Sequence, residues 1–188
     1  QNCNHVFTKY YVAPEERYQR YEYSYDSSNS EVAEKHFNSF AKSVIAHSSI
    51  EKRSLVIDIG GNVGTLLSKF KDHGFENVLN VEPAENIAKI SANNGIKTIN
   101  KFFHQSILDI QNEGPVDCIL SSNVLNHTDD INSVLKDAHA ILSDHGSLVF
   151  EVPYLYDLVE QTAFDTIYHE HLDYHHAKPL VKFLQKIG

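Results

Sequence analysis

Methionine is absent, cysteine occurs twice, and Lys plus Arg number 16 against 25 for Asp plus Glu. Each shortage excludes something. Cys3 and Cys118 stand far apart, and the second lies in an apolar run, so the chain has no disulfide framework and reads as a protein of a reducing, cytoplasmic compartment. The formal charge of -9 excludes a general attraction to phosphate backbones, and nucleic acid is not an expected partner. No apolar run approaches the roughly 20 residues that a bilayer crossing needs, and the N-terminus lacks the charged-then-apolar order of a signal peptide. A soluble chain with no membrane contact is expected. Without methionine, and with a start at Gln1 and a stop at Gly188 just after an apolar helical pattern, the sequence reads as a piece of a longer chain, truncated at both ends. Internal repeats and low-complexity tracts are lacking too.

What is present is the balance of one ordinary globular domain: 188 residues, 41% hydrophobic and 22% charged. Residues 1–30 are rich in tyrosine (Tyr10, Tyr11, Tyr18, Tyr21, Tyr23, Tyr25) and end in the polar run Asp26 to Ser30, which predicts a lid or linker. Ser30 is a candidate cap for a helix in which Ala33, Phe37, Phe40, Ala41, Val44 and Ile45 recur at helical spacing. From Ser54 the texture changes to alternating short apolar runs and amphipathic segments. Strands are expected over 55–59, 78–82, 97–100, 116–121 and 147–152, and helices over 63–73, 85–94 and 131–142. Strands this apolar, alternating with helices, are buried on both faces. That pattern predicts an α/β fold: a mostly parallel sheet with helices on both sides, preceded by a Tyr-rich helical lid. The expected organisation is a Tyr-rich segment and helix over 1–50, an α/β unit over 51–162, and a His-rich segment over 163–188 that begins a further domain.

The first strand runs into Asp58-Ile59-Gly60-Gly61-Asn62-Val63-Gly64. In an open α/β sheet a ligand sits beyond the carboxyl ends of the strands, and glycines in the first crossover let backbone approach it. The dinucleotide fingerprint needs glycine at the third position of the turn, where this chain has Asn62, and that spacing argues against a nicotinamide oxidoreductase. The order acidic-x-Gly-x-x-x-Gly instead resembles motif I of the class I S-adenosylmethionine-dependent methyltransferases. This resemblance implies their Rossmann-like sheet, a loop that holds the amino-acid portion of the cofactor, and Asp58 facing its ammonium group. The second strand ends at Val81-Glu82-Pro83, where a carboxylate is suited to accept from both ribose hydroxyls. Dehydrogenases place an acid there as well, so Glu82 alone does not choose between the cofactors. Asp109-Ile110 resembles the adenine-contacting motif, with a helix-capping or surface role for Asp109 equally open. The fourth strand leads into Ser121 to His127, a segment expected at the mouth of the site; Asn123 is a candidate cofactor contact. His127 is a candidate catalytic group or merely the neighbour of a helix cap.

Twelve histidines occur in the chain, and four of them (His169, His171, His175, His176) fall within eight residues downstream of the last strand. Imidazole can take a proton near neutral pH, and a neighbouring carboxylate such as Glu170 can orient it. The order His169-Glu170-His171 is not the His-Glu-x-x-His that puts two imidazoles on one helical face, so no metal is expected; a surface cluster without chemistry is the plainer alternative. Several motifs in order now resemble one family, the sugar C-methyltransferases acting on nucleotide-linked 4-keto-deoxy sugars. They are Tyr23-Ser24-Tyr25 with Ser27-Ser28, the Asp58–Gly64 loop, Val81-Glu82-Pro83-Ala84, Asn123 to His127, Glu151-Val152-Pro153-Tyr154 and, most specific, Phe164 to Leu172. The resemblance implies S-adenosylmethionine as cofactor, S-adenosylhomocysteine as product, and His171 as general base at the carbon next to the ketone. It implies Tyr168 and Glu170 as supports, and Tyr21, Tyr23, Tyr25 and His169 as substrate contacts. Family members carry an N-terminal four-cysteine zinc module, of which only Cys3-Asn4-His5-Val6-Phe7 has a counterpart here, so zinc is expected only where a complete module exists. The family loop reads Asn-Asp-Gly where this chain has Asn62-Val63-Gly64, and a C-terminal domain is expected after Gly188. An O- or N-methyltransferase acting on another small molecule, and a catalytically silent cofactor-binding module, are the competing readings.

Overall fold

The computed structural model describes residues 4–10, 12–28 and 30–187; Cys3, Tyr11 and Asn29 lie outside the described residues. In chain order the elements are β1 (Val6–Phe7), α1 (Pro14–Tyr18), α2 (Glu31–His47), β2 (Leu55–Ile59), α3 (Thr65–Asp72), β3 (Val78–Val81), α4 (Glu85–Asn93) and β4 (Lys97–Ile99). They continue with α5 (Ile107–Gln111), β5 (Val116–Ser122), α6 (Ile131–Ile141), β6 (Leu142–Glu151), α7 (Leu155–Glu160), β7 (Asp173–Tyr174) and α8 (Ala177–Leu184). Among the described residues no helix is long and apolar enough to cross a membrane.

Five strands form one sheet in the order β4-β3-β2-β5-β6, with every neighbouring pair parallel. The α/β architecture expected from the apolar strands is therefore present. The chain builds outward from β2 through β3 to β4, then returns to place β5 and β6 on the other side. The carboxyl ends of β2 and β5 flank the point where the order reverses, and a crevice opens there.

Alternation along the central strands divides the core. On one face Val56, Cys118 and Leu120 pack with Ala41 and Val44 of α2 and with Leu66, Leu67 and Phe70 of α3. On the other, Leu55, Ile57, Ile59 and Ile119 pack with Ile110 of α5 and with Ala138 and Ile141 of α6. Cys118 is fully buried, and burial first, with Asp58 and Asp117 adding to it, pushes its thiol up to about 12. It is a packing residue.

Ser30 caps α2 by accepting from the Ala33 N–H at 3.0 Å. The helix expected from Val63 begins at Thr65, because Gly64 turns through a left-handed conformation at φ 84° to start it. A Cβ there would lie 2.8 Å from Ile96 Cγ1 and 2.9 Å from Ser91 Oγ, both on buried residues. Gly64→Ala is expected to destabilise the fold by about 1–3 kcal/mol, read as a lowered thermal midpoint. An unchanged midpoint would show that the turn relaxes without strain.

Candidate active site

A cavity of about 780 Å³ occupies the crevice at the carboxyl ends of the strands. Its floor is the first crossover and the end of β3. Asp58, second to last in β2, is 2% exposed, and its Oδ1 has no hydrogen-bond partner. Glu82, just past β3, is equally enclosed: Oε2 accepts the Asn62 N–H at 3.1 Å and Oε1 accepts the Ala84 N–H at 2.8 Å. A carboxylate oxygen carries more than one acceptor site, so both keep capacity for a further donor. Gly61 makes this arrangement fit, since a Cβ would stand 2.6 Å from Asn80 Oδ1 and 2.7 Å from Asp58 Oδ2. Burial, reinforced by Glu82 and Glu151, pushes the Asp58 carboxyl up to about 8. Burial also pushes Glu82 up to about 7, against the pull of its backbone hydrogen bonds.

The N-terminal segment forms a wall of the cavity. Asn62 holds it there, with its side-chain nitrogen donating to the Tyr25 carbonyl at 3.0 Å and its oxygen accepting from the Ser27 N–H at 3.0 Å. Arg17 of α1 holds the other end. Its guanidinium donates to the His127 carbonyl at 3.0 Å, to Asp129 Oδ1 at 2.5 Å and to the Val12 carbonyl at 2.9 Å. Tyr18, Tyr23 and Tyr25 thereby line the cavity. Burial raises the phenol of Tyr18 to about 12 and that of Tyr23 well above its usual range, so both remain protonated donors.

Across from the tyrosines lies an imidazole pair. His171 Nδ1 sits 2.7 Å from the Thr166 carbonyl, which only accepts, so the neutral ring carries its proton on Nδ1 and its lone pair on Nε2. The Tyr168 ring lies 4.3 Å from the His171 ring, and His127 meets it edge-on at 4.8 Å. Burial, then His171 and Arg17, lowers His127 to about 3, so His127 is neutral throughout the physiological range. Glu170 reaches toward His127 Nδ1 at 3.9 Å.

Most residues expected at the site converge here: Asp58, Gly60, Gly61, Asn62, Glu82, Pro83, Asn123, His127, Tyr168, Glu170 and His171 all line the one cavity. Four expected contacts lie elsewhere. Tyr21 is 72% exposed beneath the Arg20 guanidinium, because it sits in the bend after α1. His169 occupies a surface turn with its side chain 62% exposed. Gly64 turns the chain without lining the cavity, and Asp109 pairs with Lys101 at 2.6 Å on the surface. The wall beyond β4 is supplied instead by Phe102, Phe103 and His104. Neither these nor Arg17 carries a motif; their only signal in the sequence was position, just past a strand end or beside the tyrosines. Among the described residues no group of three or more His, Cys, Asp or Glu is arranged to hold a metal ion.

The methyltransferase domain pattern matches residues 32–188. The chain belongs to the methyltransferase domain family. C-methyltransferase NovU from Streptomyces niveus is 26% identical over 190 residues, covering all of this chain and 44% of that protein, so the chain spans less than half of that relative's length. The class I methyltransferase fold is shared with cyclopropane synthase MmaA2 from Mycobacterium tuberculosis, at a TM-score of 0.67 and 15% identity over 88% of this chain and 66% of that one. It is shared also with magnesium protoporphyrin IX methyltransferase from Synechocystis PCC 6803, solved with bound SAH, at a TM-score of 0.61 and 15% identity over 87% and 79%.

The raised carboxyl of Asp58 carries a stability cost that this methyltransferase-family chain must bear. The folded chain holds that proton where the unfolded chain, with an ordinary value of 3.8, has released it. The contribution to stability is full below the unfolded value of 3.8 and is lost as pH rises through about 8. Asp58→Asn, equal in shape and uncharged, is expected to raise the thermal midpoint by several degrees more at about pH 9 than at about pH 5. An equal shift at both would contradict burial of an ionisable Asp58.

Proposed function

We propose that this chain is the cofactor-holding part of an S-adenosylmethionine-dependent C-methyltransferase acting next to the ketone of a nucleotide-linked keto-deoxy sugar. The reading is carried by His171, whose Nδ1 is committed to a main-chain carbonyl, so that the lone pair of its neutral ring is on Nε2, and which lines the same cavity as the glycine loop and Glu82. The residues present suit the cofactor. Asp58 Oδ1 is a buried, unpartnered acceptor for an ammonium group, whose charge would favour the ionised carboxylate, the two Glu82 oxygens retain acceptor sites for vicinal hydroxyls, and Gly60 and Gly61 line the cavity without side chains. When bound, S-adenosylmethionine supplies an electrophilic methyl on a sulfonium and leaves as S-adenosylhomocysteine. We assign the cofactor cradle to residues 51–162, the tyrosine wall to the segment before it, and the base to the segment after it.

His171 Nε2 would take the proton from the carbon beside the ketone, the electron pair delocalising onto the ketone oxygen and leaving that carbon nucleophilic toward the methyl that the bound cofactor would give up as its sulfur–carbon bond breaks. Protonated phenols at Tyr18, Tyr23 or Tyr168 serve the developing oxyanion, the group most in need of fixed donors. Neutral His127 adds no competing charge. Six lining residues are acidic (Glu15, Asp58, Glu82, Asp129, Asp130 and Glu170) and none is Lys or Arg. Such a lining suits a sulfonium and an uncharged sugar ring, and it repels phosphate, so the diphosphate of the substrate stays at the mouth or beyond. The relative NovU, named as a C-methyltransferase, points to carbon as the acceptor.

The test is His171→Asn assayed on a panel of nucleotide-linked 4-keto sugars. Methylation and exchange of the substrate α-proton into solvent are expected to fall by about 10²–10⁴-fold, with S-adenosylmethionine affinity by calorimetry changed less than about twofold. Turnover that survives the substitution rejects the base, and absence of binding heat with either S-adenosylmethionine or S-adenosylhomocysteine rejects the cofactor.

A further inference from the structure

His171 lies in no helix or strand; the chain from Ile167 to Leu172 holds only a bend and a turn. A base that must meet a C–H bond in fixed geometry therefore depends on what ties this loop down. The core supplies one tie, the Leu172 N–H donating to the Asn126 carbonyl at 2.7 Å. Two more come from the far end of the sequence. Thr8 Oγ1 donates to the carbonyl of His171 itself at 2.8 Å, and the Thr8 N–H donates to the Leu172 carbonyl at 2.7 Å. Just before Thr8, β1 pairs antiparallel with β7, setting Val6 opposite Tyr174 and Phe7 opposite Asp173, and His5 Nε2 lies 2.7 Å from Asp173 Oδ1.

This strand buries little. Val6 is 45% exposed and Phe7 67% exposed, so β1 adds almost nothing to the apolar core; it pairs with β7 directly after the loop that carries His171, and Thr8 just beyond it bonds to the loop itself. We propose that Thr8 is a positioning residue for catalysis, with β1 as the strap that sets the distance between the His171 imidazole and the reacting carbon. The inference rests on the reading of His171 as the base. Displacement of a catalytic group by about 1 Å can cost about a hundredfold in rate, far more than the loss of one neutral hydrogen bond at a half-buried site costs in stability.

The test compares Thr8→Val, which keeps the shape and removes the hydroxyl, with Thr8→Ser, which keeps the donor. Thr8→Val is expected to lower kcat and α-proton exchange by about tenfold to a hundredfold. Substrate KM, cofactor affinity and thermal midpoint should stay close to those of the parent, Thr8→Ser should restore most of the rate, and Thr8→Val should add nothing to His171→Asn. Parent-level exchange in Thr8→Val, with exchange abolished in His171→Asn, overturns the positioning role and leaves the base intact. A fall in midpoint and cofactor affinity that matches the fall in kcat and is not reversed by serine also overturns it, by making Thr8 merely structural. Exchange that survives His171→Asn removes the base and this inference together.

Discussion

Glu82 is the constraint from which the site is built. Its carboxylate is 4% exposed at the end of β3, and one oxygen is bound by the Asn62 N–H, the other by the Ala84 N–H. A charge so enclosed survives only where donors are fixed around it. Here one donor is the backbone of the loop that crosses from β2. The same bond that compensates Glu82 therefore fixes the glycine loop, and with it the left-handed turn at Asn62, φ 51°. Asn80 adds to the lock by donating to the Asn62 carbonyl at 2.8 Å. With its main chain held on both sides, Asn62 has its side chain free for Tyr25 and Ser27, and the tyrosine wall stands where it does because of a carboxylate at the end of the neighbouring strand.

The cradle is costly to keep open. Asp58 Oδ1 and Asn80 Oδ1 are both buried and unpartnered, and Asp58 meets the field of Glu82 as well. The fold tolerates this because apolar packing on either face of β2 is extensive, with Val56 and Ile57 fully buried. Of the two, Asp58 lines the cavity, and its unsatisfied acceptor is what a cationic ligand there would relieve. Where a chain keeps polar groups orphaned at its own expense, binding is the usual compensation.

Much of this was legible in the sequence, for reasons specific to each part. The central strands announced themselves as short apolar runs because both faces are covered, and Asp58, the glycines and Glu82 could be placed because strand ends fix where side chains of the first crossovers meet. The tyrosine-rich segment was less readable. Tyr21, Tyr23 and Tyr25 share parity, yet Tyr21 falls in the bend after α1, where alternation does not apply. His169 and His171 share parity too, and a turn at 169–170 separates them. Arg17 left no trace because its partners, His127 and Asp129, are 110 and 112 residues away. Hydrogen bonds over such distances follow no period, and Thr8, 163 residues from His171, is the same case.

The imidazole pair shows how these long-range contacts reach the chemistry. Two histidines meet edge-to-face at 4.8 Å, and their surroundings differ. His127 is enclosed, faces Tyr18 and lies beside the Arg17 guanidinium, which together with burial and His171 keeps it neutral. His171 has the Tyr168 ring against it and the Thr166 carbonyl on Nδ1. Arg17, by clamping α1 onto the loop after β5, seats the tyrosine wall and suppresses the competing base in the same contact. The wall that shapes the cavity and the neutrality of His127 inside it are then set together.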